Sequence, residues 1–225
     1  MTTGITASGT FYSYNKIEGS IPIVFIHGVG LTNEIWEPQL DFFKKYSTIS
    51  YDILGHGKSK LEKKDISFDD FSNQLIDLID ELKINKIHLV GFSIGSLIAR
   101  NFATKFNNRL KSLILLGSIY KRTEQQQKIV SDRYDQAKQE LKLSKQALKR
   151  WFTDEYLEKN PNTYEKISSI ISANNMQNFL KVYELFVYHK NDEKFEEIKV
   201  NTLVMTGEHD VGSTVNMSQE LNKII

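Results

Sequence analysis

The chain has 225 residues, no cysteine, and 29 Lys+Arg against 28 Asp+Glu, a formal net charge of +1. That length suits one large domain, or one domain carrying an insertion, and needs no metal or disulfide staple to fold. The balanced charge gives no field to draw in nucleic acid or an anionic membrane. Without cysteine there is no disulfide scaffold, thiol nucleophile or thiolate metal site.

Residues 1–7 show no basic stretch ahead of an apolar core, so no signal peptide is expected. No run approaches the roughly 18 apolar residues of a membrane helix. The expectation is a cytoplasmic protein.

Residues 5–15 predict a hairpin turning near Ser8-Gly9. The apolar run 21–26 ends at His27-Gly28 and suits a parallel strand buried on both faces. Ile35, Trp36, Leu40 and Phe43 place a helix over 33–46, and a second strand follows at 47–51. Residues 67–82 form the clearest helix: Phe68, Phe71, Leu75, Leu78 and Leu82 make one stripe, and Ser67 with Asp70 resembles a capping box. A strand at 86–90, a sharp turn, a helix to about Phe106 and a strand at 110–116 come next. The last strand is expected at 200–206, with a helix from near Ser213.

Between about 120 and 196 the strand signal disappears. Ile129, Tyr134, Ala137 and Leu141, then Met176, Phe179, Tyr183 and Phe186, recur at helical spacing. Ser144 and Thr153 are expected as helix caps, and Pro161 suits a first turn. Four or five helices are predicted, inserted between two strands. The charge run 190–197 reads as solvated surface. The expected division is a core of 1–119 and 197–225 with a helical cap of 120–196.

Alternating strands and helices imply a mostly parallel, doubly wound α/β sheet, with ligands bound beyond the carboxyl ends of its strands. Gly91-Phe92-Ser93-Ile94-Gly95 sits at one such end, between strand and helix. This G-x-S-x-G context forces a serine into strained geometry and lifts its hydroxyl above the sheet. The bland reading is a glycine-rich turn; the context favours Ser93 as a nucleophile. His27-Gly28-Val29-Gly30 follows another strand, where its backbone N–H could converge with that of Ile94 as an oxyanion hole. Gly207-Glu208-His209-Asp210 follows the last strand, and Asp210 is placed to orient a catalytic histidine. Alone it would equally be a helix cap.

These strings, with Tyr51-Asp52-Ile53-Leu54-Gly55-His56-Gly57-Lys58-Ser59 between them, resemble the α/β-hydrolase superfamily across the whole chain. Within it the chain looks like the small esterase and lactonase branch that includes 3-oxoadipate enol-lactonases. Trp36 matches that branch too. The resemblance implies Ser93 as nucleophile, Val29 and Ile94 as oxyanion donors, Asp210 as acid, and a helical cap shaping the pocket. It implies a small-molecule acyl substrate and no cofactor or metal, and it leaves the oligomeric state open. Ser96 departs from it, since many relatives carry a second glycine there.

The larger departure concerns histidine. The family order is Ser, Asp, His, with the histidine one helix and one strand beyond the acid. Five histidines are present, and none fits. His27 and His56 read as braces of their loops, His88 lies within a strand, and His209 adjoins the acid. His189 reads as surface, and of the five it alone sits on an element able to move toward the pocket. The expectation is therefore a C-terminally incomplete hydrolase lacking the final strand and helix, inactive or weak as it stands. In that case strand 200–206 becomes an apolar edge. A non-catalytic small-molecule-binding protein is the alternative, and the same fold could also serve carbon–carbon hydrolysis or cofactor-free peroxidation.

Overall fold

The structure, a computed structural model, describes residues 1–140 and 151–225. Leu141 and Ser144 lie outside the described residues.

Seven strands form one sheet in the order β1-β2-β4-β3-β5-β6-β7. They are β1 Thr2–Ile5, β2 Phe11–Asn15, β3 Ile23–Ile26, β4 Thr48–Tyr51, β5 Ile87–Phe92, β6 Leu110–Leu116 and β7 Thr202–Met205. β1 and β2 pair antiparallel, and β3 to β7 run parallel. The chain leaves β3 toward β4 on one side and resumes at β5 on the other. That reversal opens a crevice at the carboxyl ends of β3 and β5, where the loop after β3 and the turn after β5 meet.

The hairpin begins earlier than its sequence signal, at Thr2, and closes through Thr6 N to Thr10 O (2.9 Å) and Gly9 N to Thr6 O (2.8 Å). The predicted helix over 33–46 is shorter and broken. A 3-10 turn covers Asn33–Trp36 and α1 covers only Glu37–Phe42, with Pro38 in its first turn. Proline has no N–H to give a preceding turn, so it starts a helix rather than continuing one.

α2 (Phe68–Glu81) opens with the expected capping box, Ser67 and Asp70 each bonding the other's backbone. Its Phe71, Leu75 and Leu78 join α3 (Ile94–Lys105) in the main core. Strand residues alternate between faces. Val24, Ile26, Leu89 and Leu115 enter that core, while Phe25 and Val90 pack with Trp36 on the other face. β7 has one partner, β6, among the described residues, and its Leu203 and Met205 stay exposed.

Between β6 and β7 the described residues hold four α-helices: α4 (Glu124–Glu140), α5 (Asp154–Lys159), α6 (Asn162–Ser172) and α7 (Met176–Val187). Thr153 caps α5 by accepting from Tyr156 N, and Pro161 stands one residue ahead of α6. Val130, Tyr134 and Ala137 of α4 pack on Phe179, Tyr183 and Val187 of α7, a small core separate from that of the sheet. α8 (Val215–Asn222) returns to the main core through Met217 and Leu221. Among the described residues, no helix is long and apolar enough to cross a membrane.

Candidate active site

Ser93 occupies the single residue between β5 and α3 with φ 55 and ψ −119. A non-glycine side chain at such φ is strained, and the surroundings must hold it there. Ser93 N donates to Leu116 O (2.9 Å), and its carbonyl accepts from Ser96 N (2.9 Å) and Ser96 Oγ (2.5 Å). So Ser96, the departure from the family pattern, adds a tie to the turn. The flanking glycines are sterically required. A Cβ on Gly91 would lie 2.2 Å from Gly95 O, and one on Gly95 would lie 2.5 Å from Ile26 O. Among the described residues nothing hydrogen-bonds Ser93 Oγ.

The loop after β3 is held by two buried histidines. His27 Nε2 accepts from Ile53 N (3.0 Å), and His56 Nε2 accepts from Gly30 N (2.9 Å). Accepting at Nε2 assigns the proton to Nδ1, where His27 faces Gly28 O (2.8 Å) and His56 faces Leu54 O (3.3 Å). Burial disfavours the imidazolium and lowers His27 to about 4; burial and the neighbouring His27 lower His56 to about 3. Both are neutral braces, as their sequence context suggested. Asp52 ties the neighbouring loop, accepting from Asn33 N (2.8 Å) and Lys58 N (2.9 Å). Burial raises its pKa against those bonds. Among the described residues neither Val29 N nor Ile94 N has an acceptor.

Asp210 follows β7. Its Oδ1 accepts from Gly212 N and Ser213 N, both at 2.8 Å. These bonds fix the carboxylate beside the end of β6: a Cβ on Gly117 would lie 3.7 Å from Asp210 Oδ2.

One cavity of about 300 Å³ brings these pieces together. Ser93, Val29 and Asp210 line it, with Phe92 below and Phe179 and Phe186 from α7. Ile94 is buried just behind. Two further residues, Arg122 and Arg133, line its roof, and sequence reasoning missed them. Gln126, Ile129, Val130 and Arg133 of α4 recur at i, i+3, i+4 and i+7 and so share one helical face, and Arg122 lies just ahead of that helix. Arg122 donates to Val187 O (2.8 Å) and stacks on Phe186 (4.8 Å), and burial lowers its pKa to about 10. Arg133 makes no hydrogen bond or ion pair among the described residues.

No histidine lines the cavity. All five fall within the described residues. His88 bonds Ser112 (2.7 Å) and His209 is exposed beside Glu208. His189 corrects its sequence reading. It is buried, its side chain 4% exposed, and sits 3.1 Å from Glu193, itself 5% exposed. The charge run 190–197 is thus not all solvated surface, because Glu193 is drawn inward by a buried arginine, Arg100.

A serine on a strained strand-to-helix turn, two free backbone donors and a carboxylate, all at the carboxyl ends of a doubly wound sheet, define an α/β hydrolase. The chain belongs to the α/β-hydrolase fold family, whose model matches residues 21–225. It is 31% identical over 226 residues to (E)-2-((N-methylformamido)methylene)succinate hydrolase of Acinetobacter baylyi, covering 98% of this chain and 84% of that one. It is 26% identical to 3-oxoadipate enol-lactonase 2 of the same organism, over 88% and 75%. Its fold superposes on the enol-lactonase of Burkholderia xenovorans with TM-score 0.88 at 23% identity, covering 100% of this chain and 88% of that one.

Proposed function

We propose that this protein is a serine hydrolase cleaving a carboxylic ester, lactone or related acyl bond in a small substrate that carries a carboxylate. The observation that carries the reading is the convergence of Ser93, Val29 and Asp210 on one cavity. In it, Ser93 Oγ attacks the carbonyl carbon, and the carbonyl oxygen becomes an oxyanion held by the N–H groups of Val29 and Ile94. The alcohol or enol leaves with a proton, and water releases the acyl group. The helices between β6 and β7, within 120–196, act as a cap. Arg133, uncommitted on the cavity wall, is the partner for the substrate carboxylate. The names of the succinate-derivative hydrolase and the enol-lactonases above are consistent with an acidic substrate.

Taking the Ser93 proton needs a histidine oriented by Asp210, and none of the five lines the cavity. Without that base Ser93 is an ordinary alcohol. Loss of the triad histidine costs about 10⁶-fold in a comparable hydrolase and leaves roughly 10³–10⁴ over water from the oxyanion hole and binding. The 225-residue chain is therefore a feeble esterase. The lack of a histidine in the cavity also favours one second reading, a binding protein that uses the pocket without turnover.

Chemical rescue separates the two. Imidazole supplied in solution is expected to accelerate labelling of Ser93 by a fluorophosphonate and hydrolysis of a p-nitrophenyl hemisuccinate. Ser93→Ala abolishes both. Arg133→Ala lowers kcat/KM for the hemisuccinate roughly tenfold or more, and barely changes it for the acetate. A pocket that binds succinate yet gives no imidazole-dependent reaction at Ser93 would overturn the hydrolase reading.

A further inference from the structure

Arg100 lies on α3 about two turns beyond Ser93. Its side chain is wholly buried, at 0% exposure. Its guanidinium reaches in two directions. Nη1 donates to Ile119 O (2.8 Å) and Ser118 Oγ (3.3 Å), on the segment where the chain leaves β6 for the cap. Nη2 donates to Asn191 Oδ1 (3.2 Å) and pairs with Glu193 Oε1 (2.6 Å), on the segment where the chain returns. Phe195 covers the guanidinium at 4.9 Å, and the His189 ring meets the Phe68 edge at 4.9 Å. One planar fork thus holds both connections between cap and core.

A buried ion pair is poorly explained as a stability device. Apolar side chains of the same volume often serve as well or better. What the fork adds is direction, because its donors are fixed in one plane. Both connections run straight into the cavity wall. Arg122 follows Ile119 closely, and it donates to Val187 O, just ahead of His189. Burial by itself would raise the Glu193 pKa. The His189 hydrogen bond and the Arg100 charge outweigh it and hold Glu193 at about 2, so the pair stays ionised through the neutral range.

We propose that Arg100 is a positioning residue whose clasp on both cap connections sets where the cap's substrate-facing side chains stand above Ser93. The functional part of this rests on the hydrolase reading; the clasp itself does not. The test therefore has one arm that needs no turnover. In the 225-residue protein, Glu193→Gln and Arg100→Lys are compared with wild type by hydrogen exchange and mass spectrometry. Amides of 117–122 and 187–193 are expected to exchange roughly a hundredfold faster in Glu193→Gln, since removing one partner of a buried pair is costly. Arg100→Lys keeps the charge but loses the fork, and loosens the same two segments to a lesser degree. Amides of α3 and β5 keep their protection in both. In the imidazole-rescued hemisuccinate reaction, KM rises while kcat changes little. Equal loss of protection across cap and sheet in both variants, or unchanged exchange at the two connections, overturns the clasp. Local loosening with an unchanged KM overturns its role in positioning. Absence of any rescued reaction in wild type counts against the hydrolase reading and leaves the exchange arm to decide the clasp.

Discussion

Substituting Gly95 tests how tightly the sheet and the nucleophile helix are fitted. Gly95→Ala would place a Cβ 2.5 Å from Ile26 O and 2.7 Å from His27 O. A carbon and a carbonyl oxygen ordinarily approach no closer than about 3.3 Å, so about 0.8 Å is missing. Neither oxygen can swing away. Both belong to backbone, at the end of β3, which is paired on both sides by β4 and β5. Relief must come from α3 rising off the sheet, and that strips contacts from Leu97, Ile98 and Phe102 in the main core. Overpacking of this kind costs about 1–3 kcal/mol and sometimes more, and an unyielding backbone puts this site at the upper end, about 3 kcal/mol. For a chain of this size that is a fall in Tm of roughly 6–12 °C. Because Ile94 N moves with the helix, Ser93 labelling should slow by about a hundredfold as well. Gly207→Ala is the control, since a Cβ there meets nothing within 4 Å. Differential scanning calorimetry of both variants decides the matter. A Gly95→Ala protein melting within about 2 °C of wild type would refute the steric argument.

Three other outcomes follow from the same geometry. Ser93→Gly should raise Tm by about 2–4 °C, because glycine tolerates φ 55 where serine is strained; a glycine variant less stable than Ser93→Ala would show that no strain is stored there. Acid should destabilise the fold through His27 and His56, whose folded pKa values lie below the ordinary 6.5. Above that value both states are neutral and nothing is lost; as pH falls toward about 5 the unfolded chain takes up protons that the folded one refuses, at about 1.4 kcal/mol per pH unit for each histidine. Burial raises Asp52 and works in the opposite sense, so the histidine share is read from urea midpoints of wild type against His56→Asn, whose dependence should be about half as steep; parallel curves would contradict it. Asp52→Ala should cost about 2–4 kcal/mol in urea unfolding, since Asn33 N and Lys58 N both lose their acceptor; a loss under about 0.5 kcal/mol would mean that water replaces it.

The chain order of strands and helices, the elbow serine, the glycines around it and the loop histidines were legible in the sequence, for local reasons. Backbone geometry at 91–95 admits few residues, strands buried on both faces read as apolar runs, and Ser67 and Asp70 write their own cap. The broken helix at 33–42 was legible in principle through Pro38. Arg133 was not read, because its place depends on which face of α4 the small core with α7 turns toward Ser93. His189 and Glu193 were read as solvated because charge next to charge is usually surface. Their burial follows from one residue on another element: Arg100, wholly enclosed, needs a carboxylate, and the chain returning from the cap supplies it.

The length and charge balance that frame the chain settle only that one large domain, or one domain with an insertion, fits. Sequence by itself determined the family and the candidate serine, because strained turns and close approaches demand particular residues at fixed spacing. Tertiary structure alone decided that Ser93, Val29 and Asp210 share a cavity that no histidine lines. It also joined both ends of the insertion to one buried guanidinium. Such contacts link residues far apart in the chain, and their energy depends on burial, which local pattern does not encode.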